Sequence, residues 1–340
     1  AMGIGIGMGI PAPIVAGAVV TGASFGDKLS PLSDSTNLAA ATAQAGLFDH
    51  VRHMLKTTVP SFLLALVVYG IISTTLDANA GNPEVIEKLT SVIDANFKIS
   101  PLIFIPPVII ILMIGLKVPP VPGMLVGVIA GVVMCFYQGA DVGTIVSTLY
   151  QGPTIETKNE MVDKLLARGG LLFMMETISL VICALSFGGA IKAIGAVDTI
   201  IETILKHVRR RGSIIATNVV MSIFCNFAAA DQYMSIVIPG QMYKKVYKQL
   251  NMAPENLSRT LEDAGTLTSG LVPWSTCGAV YLATLNVSAF AYGRYHLIGI
   301  INPIIAIVYA YAGIFLNPLD KSKPIKTRLT DEDIAEMDKA

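Results

Sequence analysis

Charge is scarce in this sequence. Asp, Glu, Lys and Arg make up only 14% of its 340 residues, whereas 53% are hydrophobic. Soluble domains carry about 25% charged residues, so this composition excludes an ordinary soluble fold. Acidic and basic residues balance at 24 each, and a net charge of zero supplies no field for binding nucleic acid. The mean hydropathy of +0.64 and the long apolar runs predict an integral membrane protein.

Motifs for metal binding and catalysis are also missing. The four cysteines lie singly in apolar runs at Cys135, Cys183, Cys225 and Cys277, which is typical of reduced, buried thiols. There is no C-x-x-C pair, no Walker A sequence and no H-E-x-x-H sequence. The segment 22–26 fits the G-x-S-x-G pattern of hydrolases, but that turn requires a preceding strand, which this apolar run does not offer. We therefore expect no cofactor and no enzyme activity; a membrane-embedded enzyme using Ser24 or Asp231 is a distant alternative.

A polar stretch from Gly26 to Asn37 separates two apolar runs, 10–25 and 38–47. Pro31 has no backbone N–H and breaks the helical hydrogen-bond ladder there. Non-helical backbone persists at membrane depth only where protein buries it or where it lines a wet cavity. The pattern predicts an ion-binding break in a membrane helix that spans residues 11–47.

A second stretch repeats this arrangement. Aligning Pro31 with Pro273 places the sequence Pro-Leu-Ser-Asp over Pro-Trp-Ser-Thr. The next proline that heads an apolar run follows 29 residues later in the first copy, at Pro60, and 30 residues later in the second, at Pro303. The loop charges give the two copies opposite orientations. The sequence thus predicts inverted repeats, with a transport site between two broken helices.

The run 213–240 has basic residues on both sides and is too short for two full crossings of about 20 residues each. We interpret it as a re-entrant hairpin with its tip near Asn226–Asp231; one long tilted span is the alternative. The predicted fold is an all-α polytopic membrane protein. We expect four parts. Residues 1–76 form the second part of the first inverted repeat, with the broken helix 11–47 and a span at 59–76, and residues 77–170 form connecting spans and polar loops. Residues 171–316 form the second inverted repeat, with the hairpin 213–240, a broken helix at 254–290 and a span at 297–316, and residues 317–340 form a solvated cytoplasmic tail.

The first repeat should contain a similar hairpin, located N-terminal to residue 1, so we expect the sequence to begin inside a longer transporter. On this topology, 17 of the 24 basic residues lie on cytoplasmic segments and only six on outer ones. Such a bias is typical of cytoplasmic loops. The count assigns Arg259 to a cytoplasmic loop, and His50 and His53 to another solvated loop.

Small cations bind several oxygen ligands, which broken helices can supply. The candidate ion-binding residues are Asp27, Ser33, Asp34, Thr36 and Asn37 in the first break, Asn226 and Asp231 at the hairpin tip, and Ser275 and Thr276 in the second break. A carboxylate at membrane depth can hold a proton or a metal ion, but not both, and this competition can couple their fluxes. Intramembrane ionisable groups are functional by default.

We expect Na⁺ at Asp34, which lies in the centre of the break, and at Asp27. Asp27 could instead pair with its neighbour Lys28 or with another carboxylate. Glu176 and Asp263 are further candidates as proton relays.

Three stretches carry a family resemblance. The sequence Phe25–Ala39 resembles the NhaC-type sodium/proton antiporters, and Asp231–Gly240 and Pro273–Thr276 are similar to the second half of that family. The resemblance implies two inverted repeats, each with a hairpin and a broken helix. The family also contains sodium- and proton-coupled exchangers of malate for lactate.

The expected function is secondary antiport across the cell membrane, with sodium leaving the cytosol as protons enter. The alternative within the same fold moves a small carboxylate, which Lys28 and the serine-rich breaks would contact. Expected partners are the lipid bilayer, sodium ions and protons; a homodimer is left open, and no nucleic acid is expected.

Overall fold

The computed structural model describes residues 2–31, 33–76, 90–92, 94–95, 98–116, 118, 120–153, 169–194 and 208–334. This described part is all-α: it contains no β-strand, only two isolated bridges. In chain order the helices are α1 (Met2–Gly7), α2 (Ala12–Leu29), α3 (Asp34–Ala43), α4 (Leu47–Thr75), α5 (Ile105–Gly115), α6 (Pro120–Gln138), α7 (Val142–Gln151), α8 (Leu171–Ala193), α9 (Arg211–Ala229), α10 (Gln232–Gln249), α11 (Pro254–Leu261), α12 (Leu267–Ser269), α13 (Thr276–Leu285), α14 (Ala289–Tyr292) and α15 (Leu297–Ala312).

The chain divides into two compact units. The first unit comprises residues 1–2, 11–77 and 178–340, and it contains the candidate site. The second comprises residues 3–10 and 78–177. In the second unit, α5 packs closely on α6, because a Cβ on Gly127 would lie 2.8 Å from Ile110 Cγ1. The fold class is as predicted, whereas the inverted symmetry of the repeats stays a prediction.

The first broken helix consists of α2 and α3. Its interruption at 30–33 contains Pro31 and separates two helical segments, as the sequence suggests. Gln44 ends α3 in a left-handed conformation, with a φ of 60°. The next helix, α4, begins at Leu47 and not near the predicted start of the span at residue 59. His50 and His53 are consequently buried in this helix, so the expectation of a solvated loop is wrong.

Helices α9 and α10 form a hairpin. Its turn contains Ala230, in a left-handed conformation with a φ of 56°, and Asp231, which caps α10 by accepting a hydrogen bond from Met234 N at 3.2 Å. Away from the turn, Asn218 Nδ2 donates to Tyr247 OH at 3.3 Å, so the two helices lie side by side. The structure thus has two helices joined by a turn at Ala230 and Asp231, close to the predicted tip, whereas the re-entrant course of this hairpin through the membrane stays a prediction.

The second broken helix consists of α11 to α13. A π-helical turn, Glu262–Thr266, joins α11 to the short α12, and the chain is then non-helical at 270–275 before α13 begins. Pro254 starts α11, where its missing N–H leaves no hydrogen bond unmade. The interruption falls within the predicted broken helix 254–290.

Within the described residues, two helices have the length and composition to cross a membrane, Leu47–Thr75 and Arg211–Ala229. The segments Ala289–Tyr295 and Leu297–Ala312 reach that standard together as one span bent by 56°. α15 exposes large apolar side chains such as Ile304 and Val308, which lipid would cover. These features agree with a polytopic membrane protein.

The main hydrophobic core lies where α3, α9, α10 and α11 meet. The C-terminal segment joins it, because Leu329 is buried in this core. Arg211 N donates to Thr327 O at 2.9 Å, and Leu329 N donates to Arg209 O at the same distance. This part of the predicted tail 317–340 is therefore docked on the first unit and not simply solvated.

Candidate functional site

The two broken helices are joined by a buried ion pair. Lys28, at the end of α2, pairs through Nζ with Asp263 Oδ1 in the π-helical turn, and both side chains are fully buried. The sequence alternative in which Lys28 pairs with Asp27 is not what the structure has. Since burial of an unpaired charge is costly, this pair ties the first broken helix to the second.

Asp263 has further partners. Thr57 Oγ1 and Asn302 Nδ2 each donate to its Oδ1 at 2.8 Å, and Arg259 Nε lies 3.8 Å from its Oδ2. Ser61 Oγ in turn donates to Asn302 Oδ1 at 2.8 Å. Four helical elements thus converge on one carboxylate, which satisfies a charge that could not otherwise be buried.

The first break arranges its own polar groups around the interruption. Thr36 Oγ1 donates to Lys28 O at 3.1 Å, and Asn37 Nδ2 donates to Pro31 O at 2.9 Å and to Ser33 O at 2.7 Å. The bonds to Lys28 O and Pro31 O satisfy carbonyl groups beside the interruption, whereas Ser33 O also accepts the intrahelical bond from Asn37 N at 3.1 Å. Thr36 and Asn37 therefore stabilise the shape of the break.

The carboxylates of the first break are more accessible. Asp27 and Asp34 are both exposed, and the Ser33 and Ser35 hydroxyls lie close to the Asp27 carboxylate. Asp34 Oδ1 accepts a hydrogen bond from Ser35 N at 2.8 Å. Ser33 and Ser35 are buried, with their Oγ atoms 3.1 Å apart. Carboxylates and hydroxyls thus form one group of oxygens at the break.

The hairpin tip touches both breaks. Tyr233 OH donates to Asp34 Oδ2 at 2.5 Å, which links the tip to the first break. Thr276 N donates to Ala230 O at 3.0 Å, and Thr276 Oγ1 donates to Asp231 Oδ1 at 3.4 Å, which links it to the second. The predicted residues Asp34, Asp231 and Thr276 consequently belong to one connected polar network.

The second break is closed on itself. Ser275 caps α13 by accepting a hydrogen bond from Gly278 N at 2.9 Å, while its Oγ donates to Ser269 O at 2.6 Å. Asn226, on the hairpin, donates through Nδ2 to Gly265 O at 2.7 Å and to Thr268 Oγ1 at 3.0 Å. Ser275 and Asn226 therefore hold the hairpin and the second broken helix in place.

The remaining sequence candidate is Glu176. It belongs to α8, but its side chain lies outside the described part of the structure. Sequence reasoning missed Thr57 and Asn302 and placed Arg259 on a loop, although Arg259 is buried and donates through Nη1 to Phe315 O at 2.7 Å. Asn302 carried one usable signal, because it is a polar residue directly before Pro303 in an otherwise apolar run.

The donor chemistry of the site is oxygen. Among the described residues, no group of three or more His, Cys, Asp or Glu side chains could hold a metal ion. Single carboxylates combined with hydroxyl and amide oxygens suit hard monovalent cations better than transition metals. The arrangement can exchange a small cation for a proton on a carboxylate.

Comparison with known proteins gives the family. The sequence profile described as the Na⁺/H⁺ antiporter family matches residues 22–314. The Na⁺/H⁺ antiporter NhaC of Alkalihalophilus pseudofirmus is 40% identical over 321 residues, covering 92% of this chain and 68% of that protein. The Na⁺/H⁺ antiporter NhaC of Bacillus subtilis is 34% identical, covering 91% of this chain and 69% of that protein.

A further relative carries a different name. The malate-2H⁺/Na⁺-lactate antiporter of Bacillus subtilis is 33% identical, covering 92% of this chain and 67% of that protein. No solved structure matches this chain. The profile match over most of the sequence and the two NhaC relatives are decisive: the chain belongs to the Na⁺/H⁺ antiporter family.

Proposed function

We propose that this chain is a secondary active transporter that exchanges sodium ions for protons across the cell membrane. The observation that carries the proposal is the hairpin tip, which hydrogen-bonds to the first break through Tyr233 and Asp34 and to the second through Asp231 and Thr276. Accessible carboxylates in a broken helix, next to oxygens from a hairpin, are the ligands that a dehydrating Na⁺ ion needs. The names of the two NhaC relatives support the same activity.

In this proposal, Asp34 and Asp27 are the exchanging groups. Each carboxylate binds either a proton or Na⁺, so loading from one side with one ion and from the other side with the other ion couples the two fluxes. The hydroxyl of Ser33 adds a neutral ligand, and Asp231 adds an acceptor from the hairpin tip. Thr36, Asn37, Asn226, Ser275 and Thr276 hold the backbone and side-chain oxygens of the site in position.

The finer parts of this proposal concern relays, orientation and assembly. Asp263 and Glu176 are proposed as proton relays, with Asp263 also serving as the fixed partner of Lys28. The bias of Lys and Arg supports a cytoplasmic C-terminal tail. A homodimer and the lack of a cofactor stay predictions.

Everted membrane vesicles test the activity. After the interior of the vesicles is acidified, sodium chloride added outside should collapse the proton gradient in vesicles that contain the wild-type chain. We expect Asp34→Asn to abolish this response, because the amide can neither release a proton nor neutralise Na⁺. The matched control is Asp49→Asn, the same change at an exposed carboxylate in the first turn of α4. Equal responses from wild type and Asp34→Asn, at equal expression, would remove Asp34 from the site.

An organic anion is the second candidate substrate, and the name of the malate/lactate relative supports it. The observation against it is that Lys28 is fully buried and paired with Asp263, so its charge is not offered to an anion. The same vesicles separate the two substrates. If malate or lactate dissipates the gradient and sodium chloride alone does not, the antiport of organic anions replaces the present proposal.

A further inference from the structure

Glu262 is buried in an unusual way. It opens the π-helical turn of the second broken helix, its side chain is 0% exposed, and neither carboxylate oxygen has a hydrogen-bond partner within the described part of the structure. Its neighbour Asp263 is also fully buried but has an ion pair and two hydrogen bonds. An ionised carboxylate without a partner is very costly to bury, so Glu262 must either hold a proton or bind a cation.

The groups around Glu262 are oxygens. The hydroxyls of Ser35 and Thr266 lie beside its carboxylate without reaching hydrogen-bond geometry. Thr266 Oγ1 is itself buried and has no partner among the described residues. On the hairpin side, Asn226 is fixed through its Nδ2, which leaves its buried Oδ1 without a donor. Glu262, Thr266 and Asn226 thus each bury an oxygen that has no hydrogen bond, and oxygens are the ligands that a hard cation prefers.

The local charges point the same way. Around this turn the described residues include three carboxylates, Asp27, Glu262 and Asp263, and two cations, Lys28 and Arg259. Lys28 is committed to Asp263, and Arg259 lies closest to the same carboxylate. Glu262 is therefore the buried carboxylate that neither cation contacts. A bound positive charge would give it a partner of its own.

The backbone geometry also marks this turn. A π-helical turn inserts an extra residue into a helix, and such turns occur frequently at functional sites. The turn spans Glu262–Thr266, so its first and last residues supply the carboxylate and the hydroxyl considered above. Both ends of the turn thereby direct oxygen atoms to one place.

We infer that Glu262, with the hydroxyls of Ser35 and Thr266, forms a binding site for a dehydrated monovalent cation of the size of Na⁺. This site is centred on Glu262 of the second broken helix; it takes Ser35 from the first break and therefore lies next to Asp27. One carboxylate with neutral oxygens matches one positive charge, whereas a divalent ion would call for more acidic ligands. As a sodium site, it rests on the proposed function.

Sodium-dependent stabilisation of the purified full-length chain in detergent tests the inference. Thermal unfolding is followed while sodium chloride replaces choline chloride at constant ionic strength, because an ion that binds only the folded state raises the melting temperature. We expect Glu262→Gln to raise the half-saturating sodium concentration at least tenfold, and Thr266→Val to raise it several-fold. Glu255→Gln, the same change near the start of α11, should leave it unchanged.

The outcomes separate this inference from the proposed function. The Glu262 site is wrong, and the function stands, if two results are found together. Sodium drives proton exchange in wild-type vesicles, and in the thermal-unfolding assay Glu262→Gln needs the same half-saturating sodium concentration as wild type. Should Glu262→Gln fail to fold, an unchanged half-saturating concentration in Thr266→Val overturns the site equally. If wild-type vesicles show no sodium-driven exchange, the proposed function falls, whereas stabilisation by sodium still reports on the site.

Discussion

The two helix breaks share a proline and a serine but differ in how they satisfy their polar groups. The second break buries Ser269 and Ser275 completely, and Ser275 both caps α13 and bonds back to Ser269. The first break leaves Asp27 and Asp34 exposed, and Ser33 occupies the N-cap position of α3 without making a side-chain capping bond.

This difference indicates that the two breaks have different roles. The segment 269–275 is held by its own hydrogen bonds and can serve as a platform, whereas the exposed carboxylates of the first break are accessible to ions from solution. The buried Glu262 belongs to the π-helical turn that precedes this segment. Sequence similarity between the two breaks therefore does not imply equal roles. The following variants test the contrast in pairs, from the largest expected effect to the smallest.

Breaking the link between the two broken helices should have the largest effect. Asp263→Asn leaves Lys28 buried without a counter-charge, so we expect a loss of about 3–5 kcal/mol in the free energy of unfolding. The measurement is an unfolding titration in mixed detergent micelles. The double variant Lys28→Met with Asp263→Asn removes both charges and should recover much of the loss. A single variant as stable as wild type would mean that the pair does not hold the breaks together.

Adding one methyl group beside each break should change stability differently, because the second break is closely packed and the first is not. A Cβ at Gly278 would lie 2.1 Å from Val272 O, whereas a Cβ at Gly26 would have nothing within 4 Å. We expect Gly278→Ala to cost about 1–3 kcal/mol through overpacking. Gly26→Ala, in the interior of α2, should instead stabilise by up to about 1 kcal/mol through helix propensity. Equal melting temperatures for the two variants would contradict the contrast.

The smallest effect concerns helix capping. Ser275→Ala removes the acceptor for Gly278 N and should destabilise by about 1 kcal/mol, whereas Ser33→Ala removes no capping bond and should be close to neutral. Thermal unfolding of both variants in the same detergent gives the difference. A larger loss of stability for Ser33→Ala than for Ser275→Ala would show that capping stabilises the first break more than the second.

Much of the fold follows from the sequence because it depends on local chemistry. Pro31 within a polar stretch indicates the first interruption, and the polar residues Asn226 and Asp231 in an apolar run indicate the hairpin turn. These signals lie within a few residues of the features that they predict. The oxygens of the breaks could be named from the sequence for the same reason.

The partners of the buried charges could not be predicted. Lys28 and Asp263 are 235 positions apart, and no local pattern selects Asp263 over the adjacent Asp27. His50 and Arg259 look like loop residues because they are polar, yet both are buried. His50 Nδ1 lies 2.7 Å from Ser258 Oγ, and Arg259 reaches the Phe315 carbonyl. Such partners exist only once distant helices have packed.

The ion pair between Lys28 and Asp263 also limits how the molecule can rearrange. An alternating transporter must open its site first to one side of the membrane and then to the other. A motion that separated the broken helices at this point would cost about 3–5 kcal/mol. Motions that keep Lys28 and Asp263 in contact and rotate the ends of the two broken helices about this point would avoid that cost.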